Sequence, residues 1–184
     1  MNRTNLKGKQ TMKPISAAVL TALASLIVVS SPAAAQRSIT LGVSGGLSLP
    51  TGTMSDAFSS GYHVGGHLNF APESSPVELM VDATYHSFGG NLDLPEPVDF
   101  SYFGISGSAA YMLPGENSQP YLMGGVGMYF GKADVEGAES DSEFGFNVGG
   151  GIRFLLSGLS TFFQVRANFV GDNTFIPVSF GVMF

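Results

Sequence analysis

The amino-acid sequence predicts an all-β fold: one eight-stranded antiparallel up-and-down transmembrane β-barrel, preceded by a cleavable signal peptide. Three observations carry this prediction. Eight segments after residue 36 alternate apolar residues with small or polar ones, which is the period of a β-strand. The apolar face of these segments carries no charge, and the opposite face is too small to cover a soluble barrel. The first 35 residues have the composition of a secretory signal.

The predicted signal has the three parts that export requires. Its first 13 residues hold four basic side chains, and an uncharged apolar run follows over 15–29. This run is short for a membrane-spanning helix, which needs about 20 residues. Small residues over 31–35 supply a cleavage site, so we expect cleavage near Ala35.

Cleavage at this site divides the chain into a signal peptide over 1–35 and an outer-membrane β-barrel domain over 36–184. Met12 is an alternative start, because the segment from Met12 to Ala35 is a complete signal peptide by itself. A retained N-terminal anchor is the alternative to cleavage, and the alanines before the site disfavour it.

The first four predicted strands are 38–49, 62–70, 77–88 and 102–112. In each strand the apolar side chains occupy alternate positions, as the pleat of a β-strand requires. The apolar faces contain Ile39, Leu41, Val43, Leu47 and Leu49; Tyr62, Val64, Leu68 and Phe70; Val77, Leu79, Val81, Ala83 and Tyr85; and Phe103, Ile105, Ala109 and Tyr111.

The last four predicted strands are 121–130, 144–155, 160–170 and 175–184. Lengths near ten residues suit strands that cross a bilayer at a tilt, which takes about 9–11 residues. The apolar faces contain Leu122, Val126, Met128 and Phe130; Phe144, Phe146, Val148, Ile152 and Phe154; Thr161, Phe163, Val165, Ala167 and Phe169; and Ile176, Val178, Phe180, Val182 and Phe184.

The connections between strands alternate in length. Compact turns over 73–76, 113–119 and 157–158 follow the even strands, whereas longer and more acidic loops follow the first three odd strands. The connection over 171–174 is short and departs from this alternation. Aromatic residues lie near the strand ends, where membrane barrels have aromatic girdles. They are Tyr62, Tyr85, Tyr111, Phe154 and Phe184.

The terminal strand and the eight-strand pattern give the chain a family resemblance. Over its full mature length the chain resembles the small outer-membrane β-barrel family of the OmpA and OmpX type. The resemblance implies a monomer in the outer membrane, with membrane lipids as partners. It also implies assembly by periplasmic chaperones and the barrel-assembly machinery, with Phe180 and Phe184 as the assembly signal.

Lipopolysaccharide bridged through divalent cations is one interpretation of the acidic connection between strands five and six, and a merely solvated loop is the other. The acidic residues of this connection are Asp134, Glu136, Glu139, Asp141 and Glu143.

Composition excludes several classes of function. Residues 36–184 hold four Lys and Arg against 14 Asp and Glu, a net charge of −10, so nucleic acid is not an expected partner. The chain has no cysteine, which excludes disulfides, thiolate metal sites, cysteine nucleophiles and a lipidated cysteine. No cofactor is predicted. The abundant glycines suit a narrow lumen in which larger side chains would collide.

The predicted lumen face carries a few ionisable groups. If residues whose numbers sum to 149 stand opposite each other in the second hairpin, His67 faces Asp82 and His63 faces His86. One interpretation is a metal site or an acid–base pair. The favoured one is a network of groups that pair because each would be costly to bury alone. The predicted lumen network contains Glu78, Asp82, His67, Arg153 and Arg166.

Three functions are compatible with this pattern. The first is a structural, envelope-integrity or surface-interaction role without catalysis. The second is a narrow pore or small-ligand conduit, because glycines leave room in the lumen. The third is a lipid-modifying enzyme, which is disfavoured because no serine lies in a recognisable nucleophile context.

The predicted assembly signal can be tested at its terminal residue. Phe184→Asp should reduce the amount of folded, heat-modifiable protein in the outer membrane, because the aromatic ring is the predicted recognition feature. Phe154→Asp, in the predicted girdle, is the control for loss of an exposed aromatic. Normal amounts of folded Phe184→Asp protein would contradict the prediction.

Overall fold

The computed structural model describes residues 39–72, 75–91, 98–135, 137, 140–156 and 159–184. The predicted export signal lies outside these residues. Eight strands form a closed antiparallel barrel in which each strand pairs with its sequence neighbours and the last pairs with the first. The elements are β1 (Ile39–Thr51), α1 (Thr53–Ala57), β2 (Gly61–Phe70), β3 (Val77–Phe88), β4 (Phe100–Met112), β5 (Ser118–Ala133), β6 (Asp141–Leu156), β7 (Leu159–Val170) and β8 (Asn173–Met183).

All eight predicted strands are present, so the predicted eight-stranded antiparallel barrel is confirmed. The bounds of β3 agree at both ends, whereas β5 extends beyond the predicted 121–130 to Ser118–Ala133. The alternating pattern ends where the apolar face ends, but the backbone hydrogen bonds continue into the polar segments beyond it. The pairing predicted for the second hairpin is also confirmed, with His67 opposite Asp82 and His63 opposite His86.

The barrel closes with a shift of ten residues. We start at Leu41 of β1 and move from each residue to its partner on the next strand. After one full circuit of the ring, this path returns to β1 at Thr51, ten residues beyond its start. The residues passed on the way are Leu68, Val81, Gly107, Val126, Phe146, Phe169 and Thr174. With a rise of about 3.3 Å per residue and strands about 4.8 Å apart, this shift tilts the strands by about 40°.

The two faces of the sheet separate apolar from polar side chains. Leu122 and Phe144 are each 63% exposed on the outer face, and the predicted girdle aromatics are exposed as well. In β5 the outward set Leu122, Val126, Met128 and Phe130 is exposed, which confirms the predicted facing. The buried polar residues all belong to the opposite, lumen-facing set. A surface of this kind is suited to lipid outside and a filled lumen inside.

The two ends of the barrel differ. We call the end with Ile39, Met183 and the connections β2–β3, β4–β5 and β6–β7 the turn end, and the opposite end the loop end. At the loop end α1 is an element that the sequence did not predict, because a helix of five residues is too short to show a helical period. Within the described segments, no helix is long and apolar enough to cross a bilayer.

The helix α1 lies over the loop end of the lumen. Its Met54 is 1% exposed and packs with Phe88 and Phe175. Two contacts join the β1–β2 connection to the β3–β4 connection. Phe58 pairs with Gly90, and the backbone amide of Asn91 donates to the carbonyl of Ala57 at 3.0 Å. The loop end is therefore a packed structure.

Lumen glycines lie beside large side chains, as predicted. A Cβ atom on Gly104 would stand 2.8 Å from the Tyr129 ring, and one on Gly145 would stand 2.9 Å from the same ring. Gly151 lies beside Tyr121 in the same way, since a Cβ there would stand 2.6 Å from the phenol oxygen. The rings occupy the space that these glycines leave, so the narrow lumen is filled.

The β7–β8 pairing is interrupted near mid-strand. Val165 pairs with Val178 and Asn168 pairs with Phe175, but the two residues between them on each strand are not paired. Pro177 explains the gap, because proline has no backbone N–H to donate to the neighbouring strand.

The facing of β3 yields a test of lipid contact. Val81 is 50% exposed on the outer face at mid-strand. Val81→Arg should lower the free energy of unfolding by about 2–4 kcal/mol, because a charge near the bilayer midplane is poorly solvated. Tyr111→Arg, near the end of β4, should cost only about 0–1 kcal/mol. Urea titration in lipid vesicles measures both, and equal losses would contradict the placement of Val81 near the bilayer midplane.

Candidate functional site in the barrel lumen

The lumen is layered along its axis. A loop-end cluster of Met54, Phe88, Tyr102, Tyr129, Val170 and Phe175 closes one side. A turn-end cluster of Met80, Ala110, Tyr121 and Met123 lies on the other side, with Met112 packed against it. Buried ion pairs and histidines occupy the levels next to these clusters.

An ion pair crosses the lumen near the turn end. The Arg153 guanidinium of β6 donates from both terminal nitrogens to the Glu78 carboxylate of β3, at 2.8 and 2.7 Å. Both residues are buried, and the Asn69 amide lies 3.5 Å from the same carboxylate. A bidentate geometry of this kind is the strongest form of carboxylate–guanidinium contact. The pair links two walls that are three strands apart.

A second ion pair lies closer to the middle of the barrel. Arg166 of β7 donates from Nη1 to Oδ2 of Asp82 at 3.0 Å. The other carboxylate oxygen of Asp82 contacts Nδ1 of His67. The Ser106 hydroxyl lies 3.4 Å from Oδ2. Asp82 is 1% exposed, so this carboxylate depends on its protein partners for solvation.

His67 also contacts a serine that the sequence analysis did not single out. The distance between its Nε2 and the Ser44 hydroxyl oxygen is 2.6 Å. Ser44, His67 and Asp82 thus have the connectivity of a serine nucleophile, a general base and an orienting acid. A sequence signal existed, since Ser44 lies on the lumen-facing set of β1, but the β1–β2 register that places it beside His67 spans a long loop and was not predicted.

The other two histidines form a chain on the loop-end side of Asp82. The Ser48 hydroxyl oxygen lies 2.8 Å from Nδ1 of His86 and 3.2 Å from Nδ1 of His63. Nε2 of His63 lies 2.9 Å from the Ser179 hydroxyl oxygen. Ser48 and Ser179 come from β1 and β8, the strands that close the ring, so the chain forms only in the closed barrel.

A small cavity of about 10 Å³ lies between these groups. It is lined by all three histidines, by Arg166 and by hydroxyl side chains. This volume is about that of a single water site. In the described part of the chain, no group of three or more His, Cys, Asp or Glu side chains is arranged to hold a metal ion.

The five predicted network residues divide into two contacts. Glu78 binds Arg153, and Asp82 binds both Arg166 and His67. Met80 lies between the two carboxylates along β3, so these contacts are separate levels. The predicted assembly residues lie elsewhere: Phe180 and Phe184 are exposed on the outer face, and their proposed role stays a prediction.

Solved structures share this fold at low identity. The structure of neisserial surface protein A (NspA) aligns with a TM-score of 0.65 at 16% identity, covering 79% of this chain and 96% of that one. The N-terminal β-barrel domain of Pseudomonas aeruginosa OprF aligns with a TM-score of 0.50 at 12% identity and the same coverages. Ail, the attachment invasion locus protein of Yersinia pestis, aligns with a TM-score of 0.50 at 17% identity, again over 79% and 96%.

Comparison of the sequence with family models identifies the family of this chain. No curated protein matches this chain. The family model described as the outer membrane protein beta-barrel domain matches residues 21–176, which is most of the chain. The closed eight-stranded ring, its apolar outer face and this match agree, and the chain belongs to the outer membrane protein beta-barrel domain family.

Proposed function

We propose that this outer-membrane protein is a sealed barrel with a structural, envelope-integrity or surface-interaction role, without transport or catalysis. The observation that carries the proposal is obstruction of the lumen at three levels. These are the Glu78–Arg153 pair, the Asp82–Arg166 pair and the loop-end cluster beneath α1. A solute would have to separate two desolvated ion pairs and displace packed aromatic rings.

A narrow pore is the second candidate. The lumen glycines favour it, because they could leave water-filled space. The contacts of these glycines argue against it, since the Tyr121 and Tyr129 rings occupy the space beside them. The central cavity, at about 10 Å³, is too small for a solute larger than a water molecule.

A hydrolytic enzyme is the third candidate, and the Ser44–His67–Asp82 contacts favour it. Access argues against this activity. The cavity beside Ser44 has no room for an acyl substrate. Arg166, which is paired with Asp82, forms part of the wall of this cavity. Catalysis at Ser44 would require a near-attack geometry for a substrate that the cavity excludes.

Surface interaction is supported by the charge of the loop end. Exposed carboxylates at this end include Asp56, Asp99, Asp134, Asp141 and Asp172, with Lys132 as an exposed cation. Lipopolysaccharide bridged through divalent cations is the partner that we propose for these groups. Ail was solved with the heparin analogue sucrose octasulfate. Because an acidic surface repels a sulfated sugar, we do not extend that ligand to this chain.

The proposal includes a route to the membrane. Residues 1–35 would direct export and be removed near Ala35, and the terminal strand would be recognised by the barrel-assembly machinery after delivery by periplasmic chaperones. A monomer suffices for this role, because the closed ring leaves no strand edge to pair with a second copy.

Conductance of the refolded protein tests the sealed lumen. In planar bilayers the folded protein should give no discrete current steps above the lipid baseline, because three packed levels block the axis. A variant without both ion pairs, Glu78→Gln, Asp82→Asn, Arg153→Gln, Arg166→Gln, should increase the ion leak. Discrete conducting steps from folded, monomeric wild-type protein would favour the pore instead.

A double-mutant cycle tests the ion pair between Asp82 and Arg166. Asp82→Asn and Arg166→Gln each strand a buried charge, which costs about 3–5 kcal/mol. The double variant should be more stable than the sum of the single effects predicts, by about 0.5–3 kcal/mol. As a control, Asp82→Asn with Arg153→Gln combines residues from separate levels and should be nearly additive. Urea unfolding in vesicles measures all of them, and additivity in both cycles would contradict the two pairs.

A further inference from the structure

The outer face of β5 carries a lysine just beyond its last exposed aromatic ring, and we propose that this Lys132 binds a phosphate of lipid A, the acylated anchor of lipopolysaccharide. The inference rests on the proposed function, because it names the group of that lipid which the barrel contacts directly. It differs in its chemistry, since an ammonium group binds a phosphate without a divalent cation.

Lys132 lies at the height of the lipid headgroups. It follows Phe130 by two positions on the outward set of β5, and the Phe130 ring stacks with Phe103 of β4 at 6.4 Å between the ring centroids. Exposed rings near strand ends mark the edge of the hydrocarbon layer. Two residues of a strand tilted by about 40° rise by about 5 Å, and a headgroup layer is about 5–8 Å thick. The Lys132 side chain therefore projects into the layer that contains the phosphates.

Small polar residues flank this lysine. Ser101 of β4 pairs with Lys132, and Ser142 of β6 pairs with Phe130. Both serines belong to the outward sets of their strands, and Ser142 is exposed. Neither side chain is large enough to cover the ammonium, and the Ser142 hydroxyl can donate a second hydrogen bond to a phosphate oxygen.

The charges on this wall are ordered by their distance from the bilayer. Within the described segments, Lys132 is the only basic side chain on the surface, because Arg153 and Arg166 are buried in the lumen. The Lys132 ammonium forms no ion pair with a carboxylate of these segments. Asp134 lies two positions further out, and its amide donates to the carbonyl of Asp99 at 2.8 Å. The wall thus presents rings, then a positive charge, then carboxylates.

This order favours a lipid over a soluble anion. A soluble anion that approaches the loop end meets the carboxylates first, and they repel it. A lipid phosphate approaches Lys132 laterally, from within the bilayer. Lipid A places acyl chains against the Phe103–Phe130 pair and a phosphate beside the ammonium. A zwitterionic phospholipid is attracted less, because its own ammonium lies close to its phosphate.

Lipid A binding without divalent cations tests the contact. Mature protein in neutral detergent micelles is titrated with diphosphorylated lipid A in the presence of EDTA, and native mass spectrometry measures the apparent Kd. Lys132→Gln should raise this Kd about fivefold, the contribution of one lysine at an anionic membrane surface. Lys132→Arg keeps the charge and should leave the Kd within about twofold of the wild-type value. An equal Kd for the wild type and Lys132→Gln would overturn the proposal.

A relocated lysine separates a local contact from general attraction. Thr174 lies on the outward set of β8 near the loop end, three strands away from β5. The double variant Lys132→Gln with Thr174→Lys keeps the net charge and moves the cation, so its Kd should stay raised. Recovery of the wild-type Kd in this variant would overturn the site. In the same assay, an equal effect of Lys132→Gln on phosphatidylethanolamine binding would overturn the assignment to lipid A.

Magnesium distinguishes this proposal from the proposed function. If carboxylates at the loop end bridge to lipopolysaccharide through divalent cations, excess Mg²⁺ should tighten lipid A binding by the wild type and by Lys132→Gln alike. Binding that does not respond to Mg²⁺ would count against the bridge alone. Loss of the difference between the two proteins in EDTA would count against the Lys132 contact alone.

Discussion

Closure of the backbone is the constraint on which the rest of this structure depends. Hydrocarbon offers no partner to an unpaired N–H or C=O, so a sheet that spans a membrane must have no free edge. Pairing of β1 with β8 removes the edges and fixes the shift of ten residues. Once the ring is closed, each side chain faces either lipid or the lumen. The interruption at Pro177 leaves the ring closed because the pairing resumes on both sides of it.

The lumen follows from this constraint. Eight strands enclose a space that side chains can fill, so every lumen position must complement its neighbours in size. The Tyr129 ring of β5, for example, requires glycine at position 104 of β4 and at position 145 of β6, the two strands that flank it. Charged groups that face inward are largely shielded from water, and each of the four has an opposite charge across the ring. Such pairs are weak evidence for stability, because desolvation offsets their attraction. They do require both walls to be in register before either charge is satisfied.

With the lumen filled by side chains, the exposed groups of the barrel lie on its outer face and at its two ends. The ion pairs cancel inside the barrel, so the other carboxylates of the described residues lie in the connections and at strand ends. The apolar band contacts lipid, and the packed loop end presents carboxylates around α1. In the proposed role, the barrel would act on its environment through these loops. The His63–Ser48–His86 chain is a separate internal feature: both imidazoles line the central cavity, and the His86 ring also contacts Phe175 of the loop-end cluster.

The strands, their facing and the register of the β2–β3 hairpin could all be predicted from the amino-acid sequence. This was possible because each depends on a period of two and on local turns, and the His67–Asp82 pair follows from one such turn. The sequence did not reveal α1, whose five residues are held by Met54 packing into the lumen. Nor did it reveal that Glu78 binds Arg153 while Asp82 binds Arg166, or that Ser44 contacts His67. The two ion pairs join strands across the ring and depend on its shift, which is the sum of eight separate registers. The Ser44–His67 contact depends on the β1–β2 register, which a long loop leaves open in the sequence.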